Sequence, residues 1–352
     1  MGPEPTRLEG SATEPSSARP DVTTALPGRL ASPRDRIRHL GWFADLAMLP
    51  ALIVLIVVLS AMTDGLLTSS NLINVLSQSA VVAIASIGAT FVILTGGIDL
   101  STGSVIGASG VAGAWIITSN GNLTAGIAAG LLTGVLIGLV IGFVVARLDV
   151  VPFAVTLAAL YVVSGCTTLL SHGRTIAPMP VGFIRFSIDG PGGIPYPVWL
   201  ALLLYVIAQI ALTRTAWGRR IVHVGANVEV ARISGVNVVR TRIGVYAVAG
   251  LFSAIAGMVL TSGLAGAGAN MGSPLLLNVV GAVVLGGTRL SGGRGSLLRT
   301  GIGVLFLGVL SNGMSILGLE SYDQQIVTGS FIFLAASADG LRHLLRRRSG
   351  RT

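Results

Sequence analysis

Uncharged apolar segments recur along almost the whole chain, and they constrain its fold more than any other feature. Most are close to the roughly 20 residues that an α-helix needs to cross the hydrocarbon core of a bilayer. Only 11% of the 352 residues are charged, against about 25% in an average soluble domain. Because a backbone in lipid has to satisfy its own hydrogen bonds, such a chain folds as a bundle of helices. The sequence therefore predicts an all-α, multi-pass protein of the plasma (cytoplasmic) membrane.

Ten segments are apolar enough to be predicted as transmembrane helices. They lie near residues 44–63, 72–95, 103–118, 123–146, 152–170, 197–213, 243–262, 275–287, 297–317 and 324–341. The eighth is the weakest because it is short. Together they define a transmembrane domain over residues 44–341. Residues 1–43 are rich in polar residues and proline and predict a disordered cytoplasmic tail; residues 342–352 predict a basic cytoplasmic tail.

The arginines orient this bundle. All 23 basic residues are arginine, since the sequence contains no lysine. Ten spans with a cytoplasmic N-terminus put every arginine inside or at the inner edge, except Arg174 and Arg185 in the loop 171–196. Positive charge is enriched on the cytoplasmic side of membrane proteins. The even number of spans, and therefore two cytoplasmic termini, is supported by this distribution.

Several function classes lack a basis in the sequence. The net charge of +9 comes from arginines that flank apolar segments, so it does not indicate nucleic-acid binding. One cysteine, Cys166, and four scattered histidines give no metal-ligand spacing. A phosphate-binding loop requires a lysine, so ATP hydrolysis would belong to another chain. The chain is predicted to be neither an enzyme nor a carrier of a cofactor or metal.

The fourth segment carries a glycine at every fourth position. These are Gly126, Gly130, Gly134, Gly138 and Gly142. Small residues at this spacing let two helix backbones approach closely in lipid, where apolar burial contributes little to association. A packing face within one subunit is the favoured interpretation, and a moving or dimer-forming face is the alternative.

Two glycine-rich turns, 96–104 and 286–296, resemble each other, and each ends one apolar segment and opens the next. Paired glycines stop a helix, and a polar side chain such as Asp99 can hold the amides of the next one. A capped turn is therefore the simpler interpretation. The functional one is that broken helices expose polar backbone around a solute path. This functional interpretation requires that the turns extend into the bundle, although the span count places them at its cytoplasmic edge.

LTGGIDLS at 94–101, followed by Gly103, Ser104 and Val105, is the first of four stretches that carry a family resemblance. It resembles the signature of the ribose-type sugar permeases of ATP-binding-cassette importers. Residues 218–220 lead into GANVEVARISGVN at 225–237, which is similar to the family's cytoplasmic coupling segment. AVVLGGT at 282–288, GGRG at 292–295 and then Asn312 and Gly313 resemble its C-terminal half. GIPYPVW at 193–199 is similar to the end of its outer loop.

The resemblance implies a homodimer in the lipid bilayer, two cytoplasmic ATPase subunits and an extracytoplasmic solute-binding protein. Import is implied as well. Coupling to the ATPase is carried over to Glu229, Ala231, Arg232 and Gly235. The translocation-path candidates are Gly96, Gly97, Asp99, Ser101, Gly286, Gly287 and Asn312.

Two points stay open on the sequence alone. Residues 273–278, SPLLLN, stand where the family usually has an acidic, aromatic-containing run, and Arg289 replaces a small hydroxyl residue. The solute is therefore a sugar, a polyol or another small polar molecule. The alternative function is an ion-coupled secondary transporter, which usually has an ionisable residue at mid-membrane. The predicted spans contain only Asp45, Arg299 and Asp339, all near span ends.

Overall fold

The computed structural model describes Gly2 and residues 48–349, with side chains as far as residue 337. Within that part of the chain there are thirteen α-helices and no β-strand. The helices are α1 Leu49–Met62, α2 Ser69–Leu94, α3 Thr102–Asn120, α4 Leu123–Arg147, α5 Pro152–Leu170, α6 Val181–Phe186, α7 Tyr196–Arg214, α8 Ala216–Ala226, α9 Val228–Ile233, α10 Val238–Gly263, α11 Ser273–Leu285, α12 Leu297–Ile316 and α13 Ser321–Ser349. A short 3₁₀ turn, Pro191–Gly193, precedes α7.

The all-helical membrane fold predicted from the apolar segments is confirmed. A helix stands at each of the ten predicted positions, and six helices are long and apolar enough to cross a bilayer: α2, α4, α5, α7, α10 and α12. Helix α13 continues to Ser349, through most of the predicted basic tail. The predicted tail 1–43, Asp45 and the side chain of Asp339 lie outside the described residues, apart from Gly2.

The centre of the bundle is formed by α2, α10 and α12. Most of α2 is buried, including every residue from Ile84 to Leu94. By contrast, α4, α5 and α7 expose large apolar side chains such as Val140, Tyr161 and Leu203. An apolar outer surface is what lipid contact requires. The buried helices therefore form the interior of the bundle, and the apolar outer faces of α4, α5 and α7 are suited to contact with lipid.

The glycine stripe on α4 packs against α3 and α10 of the same chain. All five of its glycines are buried. A Cβ on Gly134 would collide with the Gly250 carbonyl oxygen, and one on Gly142 would lie 2.9 Å from the Ile243 Cα. The predicted packing face within one subunit is confirmed by these backbone contacts. A dimer contact through this same stripe is excluded, because α3 and α10 occupy it.

The shortness of the eighth predicted span has a structural cause. Helix α11 has 13 residues, about 20 Å at the α-helical rise, which is less than a bilayer core. It is preceded by the irregular segment 264–272, which packs on α3 where Gly103 and Gly107 have no side chain. Ala267 in this segment also exchanges two backbone hydrogen bonds with Ile176, at 2.9 and 3.0 Å. Irregular backbone of this kind is tolerated in a membrane protein when protein shelters it.

Candidate functional site

The first glycine-rich turn connects α2 to α3. Gly96 has a φ of +80°, which lets the chain leave α2 without strain. The Asp99 carboxylate accepts hydrogen bonds from the Ser101 amide at 2.8 Å, the Ser101 hydroxyl at 2.5 Å and the Thr102 hydroxyl at 3.3 Å. Asp99 therefore holds the first turn of α3, as the simpler interpretation predicts.

This turn also lies inside the bundle. Asp99 is buried, and the Thr156 hydroxyl of α5 donates to the Ile98 carbonyl oxygen at 3.1 Å. A Cβ on Gly97 would lie 2.7 Å from the hydroxyl of Tyr246, a buried side chain of α10. The turn thus dips among the helices, which is the condition that a role in a solute path requires.

The second turn connects α11 to α12 and is more exposed. Gly287, Gly292 and Gly293 all have positive φ, at +74°, +83° and +73°. The turn is closed by a hydrogen bond from the Arg289 amide to the Arg294 carbonyl oxygen at 3.0 Å. It is therefore a tight, glycine-dependent loop at the start of α12.

The third element is the helix pair α8 and α9. Asn227 separates the two helices, and its side-chain oxygen accepts from the amides of Glu229 and Val230, both at 3.0 Å. This arrangement is an N-cap of α9. After Ile233 the chain leaves the helix at Gly235, whose φ is +79°. The helix that the sequence predicted over 227–234, ending at Gly235, is thus present.

These three elements meet at one point, which we call the glycine junction: Gly96, Gly225, Gly292 and Gly293. The Gly293 amide donates to the carbonyl oxygen of Leu94, the last residue of α2, at 2.9 Å. A Cβ on Gly225 would collide with that same carbonyl oxygen and lie 2.6 Å from the Gly293 nitrogen. A Cβ on Gly292 would lie 2.7 Å from the Gly96 nitrogen. Backbone therefore touches backbone where both turns and α8 converge.

The predicted path residues do not all share this region. Gly96, Gly97, Asp99, Ser101, Gly286 and Gly287 belong to the two turns. Asn312 lies elsewhere, 15 residues after the start of α12, a distance of about 22 Å along the helix. It forms a reciprocal amide pair with Asn71, with distances of 2.8 and 2.9 Å. Asn312 therefore ties α12 to the opposite end of α2.

The predicted coupling residues differ in their exposure. Glu229 and Arg232 form an exposed ion pair at 3.0 Å. Ala231 instead is buried with Val224 of α8 and Val238 of α10, so its side chain packs α9 onto these two helices. Sequence reasoning missed Val230 and Ile233, whose exposed fractions of 53% and 78% leave an apolar strip beside the ion pair. The sequence did offer one signal for this strip, namely apolar residues in a short helix that also carries charged residues.

A cavity of about 430 Å³ was also missed from the sequence. It lies among α2, α10, α11 and α12, and Ser187 and Pro197 also line it. Its polar lining includes Ser79, Gln78 and Asn278. Asn278 belongs to the segment 273–278, in which the chain departs from the family pattern. In the described part of the chain, no group of three His, Cys, Asp or Glu residues could hold a metal ion.

Comparison with known proteins places the chain among membrane permeases. Residues 71–336 match the family described as "Branched-chain amino acid transport system / permease component". The ribose import permease protein RbsC of Bacillus subtilis (strain 168) is 39% identical over 314 residues, which cover 88% of this chain and 97% of that protein. The L-arabinose transport system permease protein AraH of Escherichia coli (strain K12) is 35% identical over 77% of this chain and 82% of its own length. The xylose transport system permease protein XylH of the same organism is 32% identical over 83% and 90%. No solved structure matches the chain.

Proposed function

The chain belongs to this family of transport-system permeases, and from that membership we propose that it is the membrane-spanning subunit of an ATP-binding-cassette importer for a sugar or similar small polar solute. The observation that carries the proposal is the near-complete alignment with a ribose import permease, over 97% of that protein. The arabinose and xylose permeases extend the same solute class. The ion-coupled alternative finds no support among these relatives.

We propose the partners that such an importer needs: a second copy of this chain, two cytoplasmic ATPase subunits and an extracytoplasmic binding protein. The support for an ATPase contact is the surface of α9. An exposed ion pair contributes little to folding stability, so Glu229 and Arg232 are available to another protein. Beside them, Ile233 and Val230 offer apolar area of the kind found at interface cores.

In this proposal, movement of the ATPase subunit displaces α9, and this displacement is transmitted to the bundle at the glycine junction. Two contacts support this: buried Ala231 anchors α9 to α8, and Gly225 in the last turn of α8 packs against Leu94. Because both turns touch that point, a displacement of α8 moves the ends of α2 and α12 together. Closely packed backbone transmits such displacement because it cannot deform locally.

The apolar strip on α9 gives a testable consequence. Replacing Ile233 with serine should weaken binding of the ATPase subunit about tenfold, the scale of a lost interface anchor. Affinity pull-down with purified ATPase in detergent measures this directly, and solute-stimulated ATP hydrolysis should fall in parallel. Leu148→Ser is the matched control, because it truncates another exposed apolar residue in a different connection. If both variants bound the ATPase subunit equally well, α9 would not be part of the interface with the ATPase.

We also propose ten membrane crossings with both termini cytoplasmic, supported by the arginine distribution and by helices at all ten positions. In a Cys166→Ala background, Ile188→Cys should react with an impermeant thiol reagent added outside intact cells, because Ile188 is exposed in the predicted outer loop. Ser234→Cys, in the predicted cytoplasmic loop, should react only after the membrane is permeabilised. The reverse pattern of labelling would invert the proposed topology.

A further inference from the structure

One face of α5 is polar, although this helix is long and apolar enough to cross the membrane. Tyr161, Ser164 and Thr168 recur at helical spacing, so they lie on the same side of the helix. Tyr161 and Thr168 are exposed, and Ser164 is half-buried. Elsewhere the surface of α5 is largely apolar, as at Val162 and Leu169. Only 11% of the most apolar stretch of α5 is buried, the smallest share among the six long apolar helices, so this helix lacks cover within one chain.

The irregular segment 264–272 brings further unpaired polar groups to this face. The Ser164 hydroxyl donates to the side-chain oxygen of Asn270 at 3.1 Å. Asn270 is exposed, and its side-chain nitrogen has no acceptor among the described residues. The backbone amides of Gly268, Ala269 and Asn270 likewise donate to no acceptor in the part of the chain that the structure describes. We call the side chains that meet here the polar patch: Tyr161, Ser164, Thr168 and Asn270.

The polar patch lies at the depth of the hydrocarbon core. Ser164 stands 12 residues after Pro152 in a helix of 19 residues, about 18 Å along the axis of α5. The carbonyl oxygen of Ala269 lies against Gly107, where a Cβ would collide with it. Gly107 in turn precedes the end of α3 by 13 residues, about 20 Å. Hydrocarbon offers no partner to unpaired amides, which makes such contact strongly unfavourable. Lipid therefore does not fit against the polar patch.

A cavity connects the polar patch to the predicted outer loop. Its volume is about 360 Å³, and it is lined by Thr168 and Asn270 of the patch and by Arg174 of that loop. Arg174 is exposed, and the guanidinium group of an arginine in a membrane protein stays in water or in a water-filled cavity. The unpaired groups of the patch therefore have a route to water from the outer side.

We propose that the polar patch faces a second copy of this chain, and that the two patches enclose a water-filled passage through which the solute crosses the membrane. The inference rests on the proposed function and adds to it the surface that joins the copies and the residues that line the path. A two-fold interface brings the same face of both copies together, so one contact shields both patches from lipid. None of the path candidates predicted from the sequence belongs to the polar patch.

Thiol labelling tests whether the polar patch faces water. The sample is the chain with its ATPase and binding protein in proteoliposomes, in a Cys166→Ala background. Asn270→Cys should react with a small hydrophilic thiol reagent about tenfold faster than Val162→Cys or more, because the reactive thiolate forms only where water stabilises its charge. Val162→Cys is the matched control, since Val162 is an exposed residue of α5 outside the patch. Equal rates, or a faster reaction of Val162→Cys, would overturn the water-filled passage.

Cross-linking tests whether a second copy faces the polar patch. In the same background, Tyr161→Cys should form a covalent dimer with a bifunctional thiol reagent long enough to span a sugar-sized passage, and Val162→Cys should stay monomeric. The two residues are adjacent and both exposed, so only the direction of the side chain differs. Dimers from Val162→Cys as readily as from Tyr161→Cys, or from neither variant, would overturn the placement of the second copy.

Uptake of ribose, L-arabinose and xylose tests the role of the polar patch in transport. For the sugar that the importer accepts, Asn270→Leu should reduce uptake about tenfold or more, because the passage loses a hydrogen-bonding group that the solute needs. Thr168→Val should reduce it several-fold. Thr133→Val is the matched control, because Thr133 of α4 also donates to the carbonyl oxygen four residues earlier at 2.8 Å, as Thr168 does, but lies outside the patch.

The outcomes separate this inference from the proposed function. Normal uptake in both Asn270→Leu and Thr168→Val would overturn the path along the polar patch while leaving the proposed function intact. Wild-type uptake that does not require ATP would instead contradict the proposed function itself.

Discussion

Replacing Gly134 with leucine is expected to prevent the chain from folding into a stable bundle. The new side chain would meet the Gly250 carbonyl oxygen and the Ala254 methyl group, and its Cβ alone would lie 3.1 Å from the Ser109 hydroxyl. Two of these neighbours belong to α10 at the centre of the bundle, so they cannot move aside locally. Overpacking costs about 1–3 kcal/mol even where side chains adjust, and here backbone is struck. We expect a loss of about 3 kcal/mol or more.

The measurement is the yield of monodisperse protein and its thermal midpoint in detergent. Ala128→Leu is the matched control, because Ala128 is an exposed residue of the same helix and the same bulk would be added there. We expect Ala128→Leu to behave like the wild type. Equal yield and midpoint for Gly134→Leu would show that α4 does not pack on α10 through its glycines.

Replacing Gly225 with alanine is expected to uncouple ATP hydrolysis from transport. The added methyl group would collide with the Leu94 carbonyl oxygen, so α8 would have to separate from the end of α2. The hydrogen bond from the Gly293 amide to that oxygen would be disturbed as well. Because α9 still presents Ile233 and Glu229, the ATPase should bind normally. We expect solute uptake to fall about tenfold or more, equivalent to ~1.4 kcal/mol or more.

Uptake and ATP hydrolysis measured in the same proteoliposomes reveal this uncoupling. Gly244→Ala is the matched control: Gly244 lies near the start of α10, and the nearest atom to an added Cβ is the Trp217 ring nitrogen at 3.7 Å, an ordinary contact. Normal uptake per ATP in Gly225→Ala would show that force does not pass through the glycine junction. Loss of ATPase binding in this variant would place the defect at α9 instead.

The positions of the helices were predictable because their causes are local. Apolar length, prolines near helix starts such as Pro152, and glycine turns such as Gly96 all act within a few residues. The capped α9 was predictable in the same way, from Asn227 at its start and Gly235 after its end. The stripe on α4 could be identified as a packing face because its spacing matches a helical face.

The glycine junction could not be predicted, because it depends on contacts between parts of the chain that are far apart in sequence. Nothing local to Gly225 indicates that Leu94 and Gly293 will touch it, since these residues are separated by more than 60 positions on either side. The burial of Ala231 could not be predicted either, because a motif does not show which face of a short helix is buried.

The central claim is that this chain is the permease subunit of an ATP-driven importer, and the energy source of uptake tests it most directly. Sugar uptake into proteoliposomes that contain this chain, its ATPase and its binding protein should require ATP and both partners. It should persist when ionophores collapse the proton and sodium gradients, because the proposed mechanism takes its energy from ATP hydrolysis. Uptake by this chain alone, driven by an ion gradient and indifferent to ATP, would contradict the account.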